Sequence, residues 1–301
     1  MIIQKQAVAE YPWWQPFHND TTLENQYRAL LAAANCTSLS CLRSLSSPAL
    51  DAAQQMSFET AYNATPPLYG YGDFFYGPSV DGTFIRDLPS NEFKQGHFAK
   101  VPLLTDREGY EGYLFSNKSM ANGTAALLAD LSNLWPSATP SFFARLLELY
   151  PASDFNSTFF QRQQIFGDFI ISCPTYYIAT ALADAGMPVY KMIFDAGSQE
   201  HTATQPFLYG ISANGSTTAN NATLASWMKD WFISFALAAD PNAISFGNGN
   251  VSKPFWPTYL KPNETGFQVM DVNYTMVGVT EDFDASARCD FFHAQSYIVR
   301  N

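Results

Sequence analysis

The chain has 301 residues, of which 47% are hydrophobic and only 14% charged, which is ample for a sizeable core and far from a disordered composition. Sixteen Lys and Arg against 27 Asp and Glu give a net charge of -11, and the basic residues form no cluster, which excludes a nucleic-acid-binding surface. No apolar run approaches the length of a membrane span, and M-I-I-Q-K-Q-A-V-A-E is not a signal peptide.

In chain order, A-E-Y-P-W-W-Q-P-F reads as a loop packed on a core. Helices are predicted from about Thr22 to Ala34 and from Pro48 to Tyr62; residues 64–100, rich in Gly, Pro and aromatics, read as irregular. Val101–Thr105 is a short buried strand. A helical stretch of about 120–186 follows, broken at Pro136, Pro140 and Pro151, with its last member, Phe159–Ala185, kinked or split at Pro174 and ended by Gly186. Pro188–Asp195 is a strand and Ala222–Ala239 a helix. Strands at Phe267–Val272 and Thr275–Val279 flank a turn, and a final helix covers about Asp284–Val299. Strands alternating with long helices indicate an α/β protein whose sheet is covered on both faces.

Two observations point to secretion. Eleven N-x-S/T sequons begin at Asn19, Asn35, Asn63, Asn117, Asn122, Asn156, Asn214, Asn221, Asn250, Asn263 and Asn273, a density that marks a glycoprotein. The four cysteines lack metal spacing; C-T-S-L-S-C suits a short Cys36–Cys41 disulfide loop, leaving Cys173 with Cys289, against the alternative of buried free thiols. No metal and no cofactor is predicted.

Glu111, after the apolar run V-P-L-L-T, and His201, after P-V-Y-K-M-I-F-D, place an acid and then a base on successive strand-end loops. That is the second half of the order Ser…Asp/Glu…His of α/β-hydrolases, yet no G-x-S-x-G occurs between Met1 and Asn301. G-P-S-V-D-G at Gly77 and G-I-S-A-N-G at Gly210 lack the second glycine at the required spacing.

Several blocks in order carry a resemblance: N-C-T-S-L-S-C-L-R-S-L at Asn35, Y-G-P-S-V-D-G at Tyr76, F-K-Q-G-H-F-A-K-V-P-L-L-T at Phe93, Y-E-G-Y-L-F at Tyr110, D-F-I-I-S-C-P at Asp168, H-T-A-T-Q-P-F-L-Y-G at His201, W-M-K-D-W-F-I-S-F-A at Trp227 and F-W-P-T-Y at Phe255. With these the chain resembles the type-B carboxylesterase/lipase family, in particular its secreted fungal members. The resemblance implies that residues 1–301 are the C-terminal part of an α/β-hydrolase domain, a partial α/β-hydrolase fold. Its Ser and oxyanion loop would then lie in an N-terminal half that precedes Met1.

By that resemblance Glu111, nine residues past Pro102, matches the triad acid, and His201, nine residues before Gly210, the base. Glu108 competes with Glu111, since E-G occurs twice; the count from Pro102 favours Glu111 and leaves Glu108 a solvated loop carboxylate. Both cysteine pairs match family disulfides. Three positions depart from the pattern: D-R-E-G-Y-E-G replaces a G-x-N-x-D-E-G type loop, Thr202 stands where Gly or Ala is usual, and Tyr11 where Ser precedes P-W-W.

The implied function is carboxylic-ester hydrolysis of a small-molecule or lipid ester in a secreted protein, with this chain inactive alone and poorly stable or associating. The alternative is a non-catalytic, cholinesterase-like secreted glycoprotein or binding module. Trp13, Trp14, Phe74, Phe75 and Tyr76 are acyl-pocket candidates or core, and His18, His97 and His293 are surface or aromatic-contact residues.

Overall fold

The structure, a computed structural model, describes residues 5–64, 69–210, 221–243, 252–259 and 266–301. The sequons at Asn214, Asn250 and Asn263 therefore lie outside the described residues. The chain divides into two compact units. One comprises residues 1–14, 89–116 and 160–294; the other comprises 15–88, 117–159 and 295–301.

The first unit is an α/β fold built on a five-stranded mixed sheet. Its strands are β1 (Ala7–Glu10), β2 (Leu103–Glu108), β3 (Val189–Asp195), β4 (Gln268–Asn273) and β5 (Val277–Glu281), and they lie side by side in that order. β1 to β4 run parallel and β5 returns antiparallel, with Leu103 opposite Ala7 and Val189, and Asp271 opposite both Ile193 and Gly278. The expected loop A-E-Y-P-W-W-Q-P-F is a loop over residues 11–17, but Ala9 and Glu10 end β1: Ala7–Glu10 is too short for its alternation to register, and its place on the sheet comes from pairing with β2. β2 begins and ends later than the sequence suggests, because charged Asp106, Arg107 and Glu108 continue the ladder inside the protein.

The hairpin turn between β4 and β5 is held by Asn273, whose Oδ1 accepts from the Thr275 N–H, the Thr275 hydroxyl and the Met276 N–H, each at 2.9 Å.

The two faces of β3 differ in chemistry. Tyr190, Met192 and Phe194 pack with Met228, Trp231 and Phe235 of the helix Ala222–Ala238 into the main core. On the alternate face Lys191 is fully buried, with Nζ 2.7 Å from Asp282 and 2.6 Å from Asp284. Arg107, opposite Ile193 on the same face of the sheet, meets Asp284 through both Nε and Nη2 at 2.9 and 2.6 Å. Burial would raise the Asp284 carboxyl, but Arg107 and Lys191 together hold it at about 2.

The helix Thr158–Gly167 runs through a π-helical stretch, Asp168–Ser172, into the helix Cys173–Asp184. Pro174 does not split it: the Ile170 carbonyl, which the proline leaves without its helical donor, accepts the Trp14 N–H at 3.0 Å. This continuous segment is long and apolar enough to cross a membrane by length and composition, but 83% of its most apolar window is buried in the protein. Gly186, at φ 79°, ends it with bonds from Gly186 N to Ala183 O and from Met187 N to Leu182 O. Cys173–Cys289 ties its centre to the helix Ala287–His293 across 116 residues.

The second unit is helical. Asp20–Ala33 packs against Ser47–Tyr62, and the Cys36–Cys41 disulfide closes the turn between them. Thr124–Leu134 and Pro140–Leu149 bury Leu127, Leu131, Phe142 and Leu146 around Trp135 and Tyr150. The final helix of the sequence reading is two elements, Ala287–His293 in the first unit and Ser296–Val299 in the second, and Arg300 bonds the Leu134 carbonyl. Within 64–100, Pro89–Lys94 is helical.

Candidate active site

The site forms where β2 and β3 end. Beyond their last residues the two chains continue as loops that stay joined, but with the β3 side advanced by four residues: Gly109 N donates to Phe194 O, Tyr110 N donates to Gln199 O at 2.7 Å, and Tyr110 pairs with Glu200, not with Ala196, in a parallel bridge. The next residue on each side carries chemistry. His201 Nδ1 lies 2.7 Å from Glu111 Oε2, and the other Glu111 oxygen accepts the Glu108 N–H, also at 2.7 Å. A carboxylate accepts only, so Nδ1 carries the proton and Nε2 is left as the basic nitrogen.

Three aromatic rings surround the imidazole in edge contacts, Tyr11 at 4.6 Å between centroids, Phe115 at 5.3 Å and Trp13 at 6.1 Å. The Glu111 side chain is enclosed, while that of His201 keeps 16% of its surface exposed. The acid is thus shielded and the base reachable.

Burial governs the electrostatics. It raises Glu111 to about 7, against the hydrogen bonds from Glu108 that favour the anion, and it lowers His201 below its ordinary value, against the pull of Glu108. His201 is therefore neutral at neutral pH, as a general base requires. Glu108, at 0% exposure, is no solvated loop residue: it ends β2, and its Oε1 accepts from both the N–H and the hydroxyl of Thr204, at 3.3 and 2.9 Å. Burial first, then Glu111, pushes it well above the usual carboxylate range. Sequence reasoning missed Glu108, Thr204 and Phe115 as parts of the site. The D-R-E-G-Y-E-G string, with two acids three apart, was the available signal.

Glu108, Glu111 and His201 each bring a donor atom within 4.8 Å of the others. Nδ1 and Oε2 are already committed to each other, and a cation would have to part them. The arrangement is a hydrogen-bonded one.

The other sequence candidates fall elsewhere. Trp14 packs on Phe93 and Tyr177, not on the imidazole, and Phe74, Phe75 and Tyr76 belong to the helical unit. His18 is buried and bonds the Phe74 carbonyl, His97 meets Glu92, and His293 stacks on Tyr177 at 4.0 Å. A cavity of about 570 Å³ opens beside the acid loop, lined by Arg107, Gly109, Tyr110, Asp195 and Asp284, but neither Glu111 nor His201 lines it. Of the described sequon asparagines, Asn19, Asn35, Asn63, Asn117, Asn122, Asn156 and Asn221 are exposed, and Asn273 is half-buried.

The carboxylesterase family profile matches residues 5–292. The chain belongs to the carboxylesterase family. Among curated proteins, this carboxylesterase-family chain is 27% identical over 262 residues to a secreted lipase of Arthroderma benhamiae, covering 77% of the chain and 44% of the lipase. It is 25% identical to lipase 1 of Geotrichum candidum (89% and 49%) and 26% identical to the carboxylesterase patB of Aspergillus clavatus (95% and 49%). The chain thus spans about half the length of the curated relatives it matches. The crystal structure of EstA from Aspergillus niger shares the fold, with a TM-score of 0.78 at 19% identity over 98% of this chain and 59% of EstA. Both disulfides that the resemblance implied, Cys36–Cys41 and Cys173–Cys289, are formed in the structure.

Proposed function

We propose that this chain is the C-terminal part of a secreted carboxylic-ester hydrolase and supplies the acid and base of a Ser–His–Glu triad. The observation that carries the reading is the 2.7 Å bond between His201 Nδ1 and the enclosed Glu111 carboxylate. In such a triad His201 Nε2 takes the proton of a Ser hydroxyl as it attacks the ester carbonyl, then returns it to the leaving alcohol. Glu111 fixes the tautomer and stabilises the imidazolium. The Ser and the backbone donors for the oxyanion belong to a segment outside these 301 residues, and the chain alone is inactive.

A non-catalytic glycoprotein module has no need of this pair, so its retention supports the hydrolase reading. Secretion is supported by the sequons, the two disulfides and the secreted relative. Reading the transcript upstream of Met1 and assaying the full reading frame on short- and long-chain esters tests the proposal. Activity that falls on the order of 10⁴-fold in His201→Ala and Glu111→Ala supports it. Full activity in those variants, or hydrolysis by the 301-residue chain alone, overturns it.

A further inference from the structure

Two carboxyl groups lie within 4.8 Å of each other in a nearly solvent-free site, Glu108 at 0% and Glu111 at 2% exposure. Two charges there would repel, and burial penalises each. The groups facing them offer little relief. Asp106 from β2 brings no cation and is itself pushed well above the usual carboxylate range, by burial first and then by Glu108, and the Arg107 guanidinium is turned to Asp284. His201 is neutral when at rest, and Thr204 and Tyr11 contribute uncharged groups.

The hydrogen bonds are unequal. Both Glu111 oxygens accept, from the Glu108 N–H and from His201. Only one Glu108 oxygen does, from Thr204; the other, Oε2, is enclosed with no donor facing it. An ionised Glu108 would leave that oxygen bare, whereas a protonated one turns it into a donor, and Glu111 is an acceptor within reach.

We infer that Glu108 is a positioning residue that keeps its proton at neutral pH and directs it to Glu111, so that Glu111 is the single carboxylate of the site and faces His201. Burial, followed by the nearby Glu111, acts on Glu108 in the same direction. The consequence for catalysis rests on the Ser–His201–Glu111 reading; the location of the proton does not, and it is measured on the 301-residue chain without any activity.

The test is infrared difference spectroscopy of wild type minus Glu108→Gln at pH 8, where Gln reproduces the donor and acceptor of a protonated Glu. The expected spectrum contains a carboxylic-acid carbonyl band from wild type. Proton NMR should show the downfield His201 Nδ1–H resonance kept in Glu108→Gln and lost in Glu108→Ala. Should a variant fail to fold, carbon-13 NMR of wild type decides alone: one glutamate Cδ stays at its protonated position at pH 8. A carboxylate band in the difference spectrum, all glutamate Cδ resonances at ionised positions, or an unchanged Nδ1–H resonance in folded Glu108→Ala would each overturn the inference. If the proton is found and the complete enzyme shows no dependence on Glu111, the triad reading fails and the Glu108 proton stands.

Discussion

Gly112 lies so close to Gln163 that a Cβ on it would fall 1.9 Å from the Gln163 carbonyl oxygen. The glycine after Glu111 thus lets the acid loop lie directly on the helix Thr158–Gly167, and Gly167 answers it, its own Cβ position being 2.8 Å from Gly112 N. The resistance is backbone on both sides, so neither partner can swing away.

Gly112→Ala should therefore push the acid loop off the helix and lengthen the Glu111–His201 bond. Ester hydrolysis by the complete enzyme is expected to fall by about 100-fold, the usual cost of a displacement near 1 Å. Activity within a few-fold of wild type would refute this placement of the loop.

Thr202 has φ 75°, a left-handed conformation that a β-branched residue adopts only under strain. It follows the base directly. Thr202→Gly relieves the strain, and the chain is expected to gain about 1 kcal/mol, read as a higher denaturation midpoint at unchanged slope. A loss of stability would show that the Thr202 side chain contributes more than its backbone costs.

The pH dependence follows from the pair at the site. In the proposed triad Glu111 must be ionised, and it is raised to about 7, whereas His201 must be neutral and is lowered below its ordinary value. Both requirements fail as pH falls, and the higher one is met last, so kcat/KM of the complete enzyme should fall on the acid side with a midpoint near 7. The stability term has the opposite sense. Because the folded Glu111 holds its proton more tightly than the unfolded one, its contribution is complete below about 4.3 and disappears as pH rises through about 7. A pH–rate profile and chemical denaturation at several pH values check the two signs.

Lys191 neutralises two buried aspartates, so Lys191→Ala leaves Asp282 without its cation and Asp284 with Arg107 alone, and should cost about 3–5 kcal/mol. The acid response of the wild type is separate. Asp284 is held at about 2, so its share of stability is present above about 3.9 and is lost as pH falls toward 2. Guanidinium titrations of both proteins at neutral pH measure the first effect, and an acid series on wild type the second.

Glycan occupancy should be uneven. Asn273 is half-buried, donates Nδ2 to Asp271 at 3.0 Å, and has its Oδ1 engaged three times in the β4–β5 turn. The amide nitrogen that would carry a sugar is thus already in use. Glycopeptide mapping after expression in a glycosylating host should find Asn273 less occupied than exposed Asn35, Asn122 or Asn156. Full occupancy at Asn273 would show that glycosylation precedes closure of the turn.

The parts of the fold visible in the sequence were those with a strong local signal. The helices near Thr22, Pro48 and Ala222 have apolar spacing and caps: Asn19, Ser46 and Asn221 each accept an N–H of the first turn. β1 was hidden because four residues show no usable period, and the charged end of β2 because burial of Asp106, Arg107 and Glu108 is a tertiary outcome. The last helix read as one since its apolar spacing runs past the break at Ala294 and Gln295. At the site, Glu111 and His201 could be found from motif order. The depth of Glu108 could not, because E-G reads the same in a solvated loop and in a strand end pressed against Thr204.

The bridge between Tyr110 and Glu200 stands apart from the β2–β3 ladder, four residues out of its register, and joins the two loops next to the acid and the base themselves. Loops that carry function commonly open independently of the sheet beneath them, and their amides exchange quickly with solvent. Here the Tyr110 amide is donated across the gap to Gln199, so the two loops can separate only by breaking that bond. Its protection against hydrogen exchange should approach that of Leu104 in the strand. The acid and base then keep their spacing through local fluctuations that would disorder two unlinked loops.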